Sequence, residues 1–237
     1  MEKREKLYEG KAKIIYATDQ PDRVIAYFKD SATAFDAVKK ATIKGKGVLN
    51  NTISSFFFQL LGEKGIPTHF IKKLSDREML IYKVQIIPVE VVVRNLAAGS
   101  IVRRLGIPEK TRFEPPLIEF YLKNDELHDP IICEQHIYAM DLAKPEEVQK
   151  MKEIALKVNE IIKEFMEKQG VILVDFKLEF GRKDGQIVLA DEISPDTCRF
   201  WDAKTGESLD KDRFRFDLGD LIEGYKKILE KIEKKGE

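Results

Sequence analysis

The sequence predicts an α+β protein of two lobes, built from antiparallel sheets flanked by helices, with a working cleft between the lobes. Three observations predict it. Short strand-like segments crowd residues 1–84 around a single strongly helical stretch. Residues 171–192 then alternate apolar and polar side chains in the manner of a hairpin. Two long stretches, 145–169 and 218–235, instead repeat apolar residues at helical spacing. The 237 residues suit one large domain or two small lobes, and a hydrophobic content of 43% supplies a sizeable core.

In the first lobe, 7–16 reads as two strands broken at Gly10, where a glycine permits close approach of the backbone to a ligand. Lys11 and Lys13 share a parity and point to one side. A solvated edge strand guarded by lysines is the commoner setting for such a pair, and a phosphate cradle the other reading. Residues 24–29 form a partner strand, 30–36 a polar loop and 43–47, IKGKG, a flexible basic loop. Residues 48–61 form a helix that buries its phenylalanines and ends at the glycines 62 and 65. Residues 68–74 and 79–86 are two more strands. Ile81, Tyr82 and Lys83 then join residues 1–84 to the second lobe, 85–237, and a cleft at such a junction commonly holds a nucleotide.

The second lobe opens with a strongly β-forming run, residues 89–94. Ser100 is a plausible cap for a short helix over 101–105. Arg94, Ser100, Arg103 and Arg104 surround that helix start, where backbone amides and guanidinium groups make an anion site natural. Residues 108–116 form a proline-rich connector and 118–122 a strand. The polar loop carrying Lys123 is a candidate substrate or nucleotide wall. After the 145–169 helix comes the segment VILVDFKLEFGRKDGQIVLADEISP, residues 171–195. Asp175, Lys177 and Glu179 occupy one parity of its first strand. The turn at Asp184-Gly185 decides where Asp191 falls on the return strand, 186–192. A two-residue loop sets Asp191 on the face opposite Glu179, whereas an odd loop with a bulge at Gly185 sets both carboxylates on one face. Two converging carboxylates beside a lysine suit a hard cation such as Mg²⁺, and the same residues also suit a solvated hairpin. Arg199 follows in a loop, and 211–215 is a basic loop before the last helix.

Composition excludes several classes. With 41 basic and 41 acidic residues the formal net charge is zero, so nucleic-acid binding through bulk charge is not expected. No apolar run reaches membrane-spanning length, and the opening MEKREK is unlike a leader, so a cytoplasmic protein is expected. Cys133 and Cys198 imply no disulfide framework, and the three histidines lack zinc spacing.

Four segments, GKAKIIY, EVVVRNLAAGSIVRRLGI, LVDFKLEFG and ADEISPDTCRFWD, together closely resemble the SAICAR synthetase family of purine biosynthesis. The resemblance spans essentially the whole chain in the same order. It implies a two-lobed fold related to ATP-grasp and protein-kinase lobes. It implies an ATP-dependent ligation of carboxy-aminoimidazole ribonucleotide (CAIR) to L-aspartate with Mg²⁺, in a homodimer or higher homo-oligomer. By match of position, Lys11, Lys13 and Lys123 meet the ATP phosphates, and the backbone of Ile81, Tyr82 and Lys83 meets adenine. Glu179 and Asp191 bind metal, and Arg94, Ser100 and Arg199 hold the ribonucleotide phosphate. Asp36 borders the substrates, while Asp175 and Lys177 line the reacting centre, with Asp175 a candidate base. A small-molecule kinase would use the same lysines and carboxylates but stop at phosphoryl transfer.

Overall fold

A computed structural model describes residues 1–34 and 38–234. The first sheet has five antiparallel strands: β1 (Lys3–Glu9), β2 (Lys13–Thr18), β3 (Arg23–Phe28), β6 (Phe70–Lys73) and β7 (Glu78–Tyr82), in the order β1-β2-β3-β7-β6. A small hairpin of β4 (Ser31–Ala34) and β5 (Lys39–Thr42) and the helix α1 (Lys46–Glu63) come between β3 and β6. The polar loop expected over 30–36 thus holds a strand, and Asp36 lies outside the described residues.

The second sheet runs β10-β9-β8-β11-β12, with β13 paired to the start of β11. Its strands are β8 (Gln85–Leu96), β9 (Arg112–Leu122), β10 (Ile131–Ile132), β11 (Val171–Lys183), β12 (Gln186–Ala190) and β13 (Cys198–Asp202). The helices are α2 (Ser100–Leu105), α3 (Glu134–Ala139), α4 (Pro145–Lys168), α5 (Asp212–Arg215) and α6 (Leu221–Glu233). No described helix is long and apolar enough to cross a membrane.

Central β11 explains the sheet. Its apolar parity, Phe176, Leu178 and Phe180, joins the core beneath α4. That helix buries Val148, Met151, Ile154, Ala155, Val158, Ile162 and Met166, a helical stripe as the sequence predicts. Burial of each larger apolar side chain contributes roughly 1.5–3 kcal/mol. The opposite parity of β11 forms the floor of the cleft.

Several boundaries differ from expectation, each for a local reason. The helix α1 begins at Lys46 rather than 48, because Gly45 takes a left-handed conformation (φ 90°) and turns the chain into it. The IKGKG segment is therefore no flexible loop at its end, and Lys46 is fully buried. Ser100 is the first residue of α2, and Gly99 caps it. The strand β9 starts at Arg112 and runs through both prolines, which its sparsely paired edge accommodates. Arg199 lies on strand β13, where it pairs with Asp175, and 211–215 is largely helical.

Candidate active site

A cleft of about 860 Å³ lies between the two sheets and draws its walls from both. The register of β8 on β11 builds the floor. Arg94 sits opposite Asp175, Val92 opposite Lys177 and Glu90 opposite Glu179. Two glutamates facing each other across a ladder repel. Lys177 relieves this by donating to both, at 2.7 Å to Glu90 Oε1 and 2.8 Å to Glu179 Oε1. Burial still pushes the Glu90 carboxyl above its ordinary value, with Lys177 opposing.

The hairpin turn settles where Asp191 goes. Lys183 pairs with Gln186, so the loop is the two residues Asp184 and Gly185, with φ of 50° and 76°. Two positive φ values make the primed turn that matches strand twist. By register alone Asp191 would then face away from Glu179. Instead β12 stops at Ala190, and Asp191 itself turns left-handed (φ 62°), a conformation aspartate tolerates better than most residues. The return strand therefore ends two residues short of Glu192, and the turned backbone brings Asp191 to Lys177, at 4.0 Å.

Three lysines close this cluster. Lys13 donates to Asp191 Oδ1 and, at 3.0 Å, to Glu192 Oε1. Lys123 donates to Glu179 Oε1 at 2.7 Å. Burial pushes the Asp191 carboxyl up, but Lys13, Lys177 and Lys123 outweigh it and hold the group below the usual carboxylate range. Burial likewise disfavours the charged Lys177, yet Glu179, Asp191 and Glu90 raise it well above an ordinary lysine. Lys11 reaches across the cleft mouth to Asp125 at 2.7 Å.

The same cluster tests the fit of a cation. Glu179 Oε2 and Asp191 Oδ2 accept no hydrogen bond from a described residue, while their partner oxygens hold the lysines. Two open carboxylate oxygens suit Mg²⁺, which takes the rest of its shell from water and phosphate. The described residues contain no cluster of three or more acidic, His or Cys ligands that would hold a metal by protein groups alone.

Beyond Lys177 the cleft floor becomes a row of alternating charges. Arg94 donates Nε to Glu119 at 2.7 Å and Nη1 to Asp175. Arg199 donates Nη1 to both Asp175 oxygens, at 3.0 and 2.8 Å, and Nε to Asp212 at 2.7 Å. Arg104 and Arg215 close the two ends, on Glu119 and Asp212. Glycine at 99 is favoured by its backbone, whose φ of 64° strains other residues, and a β-carbon there would also displace Arg199 Nη2, 2.5 Å away. Ser100 Oγ meets Arg94 Nη2 at 3.4 Å.

Most residues expected from sequence thus meet in one cleft. Lys11, Lys13, Ile81, Tyr82, Lys83, Arg94, Lys123, Asp175, Lys177, Glu179, Asp191 and Arg199 all line it, and Ser100 joins through Arg94. Sequence reasoning missed Glu90, His69, Asp196, Lys211 and Arg215, which also line it. The shared parity of Glu90, Val92 and Arg94 could have found the first. The amides of Tyr82 and Lys83 are already engaged, donating to His69 O and Asp22 O. Cys198 is buried and its thiol is pushed up by burial, as befits packing rather than nucleophilic attack, and both cysteines are free.

A family model described as SAICAR synthetase matches residues 6–232. A phosphoribosylaminoimidazole-succinocarboxamide synthase of Persephonella marina is 88% identical over 235 residues, 99% of each chain. The crystal structure of the synthase so named from Ehrlichia chaffeensis matches at TM-score 0.95 and 51% identity, covering 98% of this chain and 100% of that one. A SAICAR synthetase solved in complex with ADP matches at TM-score 0.93 and 57% identity, over 96% and 97% of the two chains.

Proposed function

This chain belongs to the SAICAR synthetase family, and from that premise we propose how its cleft performs the family's reaction. It is an ATP-dependent carbon–nitrogen ligase of purine biosynthesis, joining the carboxylate of CAIR to the amine of L-aspartate as ATP becomes ADP and phosphate. The residue roles that follow are our reading.

Residues 1–84 and their junction hold ATP, and residues 85–237 hold the metal, CAIR and aspartate. A relative solved with ADP supports nucleotide binding in this fold. Lys11, Lys13 and Lys123 take the ATP phosphates. Because the amides of Tyr82 and Lys83 are engaged, the main-chain contact to adenine passes to their neighbour Val84, which also lines the cleft. Arg94, Ser100 and Arg199 take the phosphate of CAIR. Glu179 and Asp191 hold Mg²⁺, which when bound would neutralise charge on the transferring phosphoryl group.

The observation that carries the mechanism is the fixed array of Lys13, Lys123 and Lys177 around two carboxylates. Its charges are in place before substrate arrives, so little reorganisation accompanies phosphoryl transfer. A CAIR carboxylate oxygen attacks the γ-phosphorus, and the bond to ADP breaks. The aspartate amine then attacks the acyl phosphate carbon, and phosphate leaves. Asp175 is a poor base for this step, because Arg94 and Arg199 already engage both its oxygens. We assign it to holding those arginines, and an oxygen of the acyl phosphate takes the ammonium proton. The enzyme in this reading is cytoplasmic, and it is a homodimer or higher homo-oligomer as the family resemblance implies.

The test uses CAIR labelled with ¹⁸O in its carboxylate, with ATP and Mg²⁺, with and without L-aspartate. Product should form one for one with ADP only when aspartate is present, and one ¹⁸O should appear in each phosphate released. Unlabelled phosphate would overturn the acyl phosphate. A stable phosphorylated product without aspartate would make the chain a kinase.

A further inference from the structure

One buried carboxylate beside the cleft has no part in the chemistry above. Glu119 of β9 is buried, and it is not among the residues that line the cleft. It pairs with Val92 of β8, so it shares a sheet face with Arg94, two residues further along that strand. A carboxylate buried at such a place is costly unless donors surround it. Glu119 has three. Its Oε2 accepts from Arg94 Nε at 2.7 Å and from the Tyr121 hydroxyl at 2.9 Å, and its Oε1 accepts from Arg104 Nη2.

These bonds decide which edge of Arg94 is left over. Nε is spent on Glu119, and Nη1 on Asp175 and Ala98 O. Among the described residues Nη2 meets only long contacts, at 3.4 Å to Ser100 Oγ and 3.3 Å to the Tyr121 hydroxyl. It is therefore the donor with most to gain from an anion beside Ser100. Without Glu119, Asp175 would draw the guanidinium into the two-pronged pairing that arginine and carboxylate prefer, and Nη2 would turn from Ser100. Glu119 acts on α2 as well. Arg104 stands in the last turn of that helix, 5.9 Å over the Tyr121 ring, and its bond to Oε1 ties α2, with Ser100 at its start, to β9.

We propose that Glu119 is the positioning residue of the phosphate site: it turns Arg94 Nη2 towards the phosphate of CAIR and holds Ser100 beside it. The inference rests on the assignment of that phosphate to Arg94, Ser100 and Arg199. Glu119 touches no substrate and acts through the two arginines that it holds. Its effect runs against its charge. A negative group beside an anion site weakens phosphate binding by Coulomb repulsion, whereas one that orients the binding donors strengthens it.

The test is steady-state kinetics of Glu119→Gln, Tyr121→Phe, Arg94→Lys and the double variant of Glu119→Gln with Arg94→Lys. Carboxy-aminoimidazole riboside, which is CAIR without its phosphate, serves as the competitive probe. Glu119→Gln keeps the size of the side chain but gives up one acceptor. Its KM for CAIR should rise about ten-fold or more, the loss expected for a charged hydrogen bond. Its Ki for the riboside and its KM for ATP and L-aspartate should stay within about three-fold. Tyr121→Phe should move the CAIR KM the same way by about three-fold. That variant loses only a hydroxyl, so it carries the test should Glu119→Gln fail to fold. In Arg94→Lys, which has no Nε to be held, adding Glu119→Gln should cost little more. A CAIR KM that fails to rise in either variant, equal losses for CAIR and the riboside, or full additivity with Arg94→Lys would overturn the role. An Arg94→Lys enzyme that takes CAIR as well as wild type does would instead remove the phosphate assignment beneath it and leave the ligase intact.

Discussion

His69 is 3% exposed and packs against Phe58 behind Lys13, and its Nε2 has no hydrogen-bond partner among the described residues. Burial, reinforced by the charge of Lys13 and opposed by Asp191, lowers its pKa from 6.5 to about 3. The sign follows directly. Between those values the unfolded chain carries the proton and the folded chain does not, so stability is full above pH 6.5 and falls as pH drops towards 3. At pH 5 the loss from this one group is about 2 kcal/mol. Urea unfolding at pH 7 and pH 5 should therefore show wild type losing about 2 kcal/mol more than His69→Phe. Equal losses would show that His69 does not set the slope. Nothing in the sequence around His69 marks it, because its neighbours come from α1, β2 and the end of β12. Asp175, Lys177 and Glu179 were legible for the opposite reason. They share one strand, and a period of two puts them on one face whatever the rest of the chain does. Asp191 lies between these cases: the hairpin was readable, but its convergence on Lys177 depends on one left-handed residue that no alternation reveals.

Among the elements, α1 is held at its start by a buried charge. Lys46, fully buried, pairs with Asp196 of the β12–β13 loop, and Tyr225 of α6 donates to the other Asp196 oxygen. One carboxylate thus ties together three elements that are distant in sequence. Burial raises the Asp196 pKa, but Lys46, Lys211 and Tyr225 outweigh it and keep the group ionised. Removing one partner leaves a buried charge uncompensated, which costs about 3–5 kcal/mol. Lys46→Met should lose that much in urea unfolding, and adding Asp196→Asn should restore part of it, because the stranded charge is then gone. A double variant as unstable as the sum of the two single ones would refute the coupling. The IKGKG run looks like a loop because lysines and glycines favour solvent and turns. Its glycines instead serve a tight joint: a β-carbon on Gly47 would lie 2.4 Å from Phe28 O. The strand β13 was unreadable for a related reason. Its five residues follow a proline and a polar run, and only pairing with β11 makes them a strand. Long elements with a clear period, α4 and β11, needed no such partner to be recognised.

At the scale of the molecule, two sheets were legible because their strands fall into separate halves of the sequence, but the core does not respect that division. One continuous cluster of buried residues runs from Val24 and Phe28 of the first sheet through Phe57 and Leu61 of α1 to Val91, Phe176 and Ile228. Phe57 stacks on Phe200 of β13 with ring centroids 6.2 Å apart, and α1 packs along α6. Sequence pattern assigns residues to faces, not faces to one another, so this shared core was out of its reach. Lobes joined in this way should unfold together. The sole tryptophan, Trp201, reports on β13, whereas far-UV circular dichroism reports on both sheets and all helices. Urea transitions followed by the two signals should coincide. Adding ADP should move both by the same amount, about 2.7 kcal/mol at a hundred times its Kd, because binding to the folded state alone stabilises the whole cooperative unit. Lobes that melted separately would split the curves, and ADP would then shift the dichroism signal without an equal shift at Trp201. A shared shift would mean that the joint between α1, β13 and α6 transmits nucleotide binding at the cleft to the far side of the second lobe.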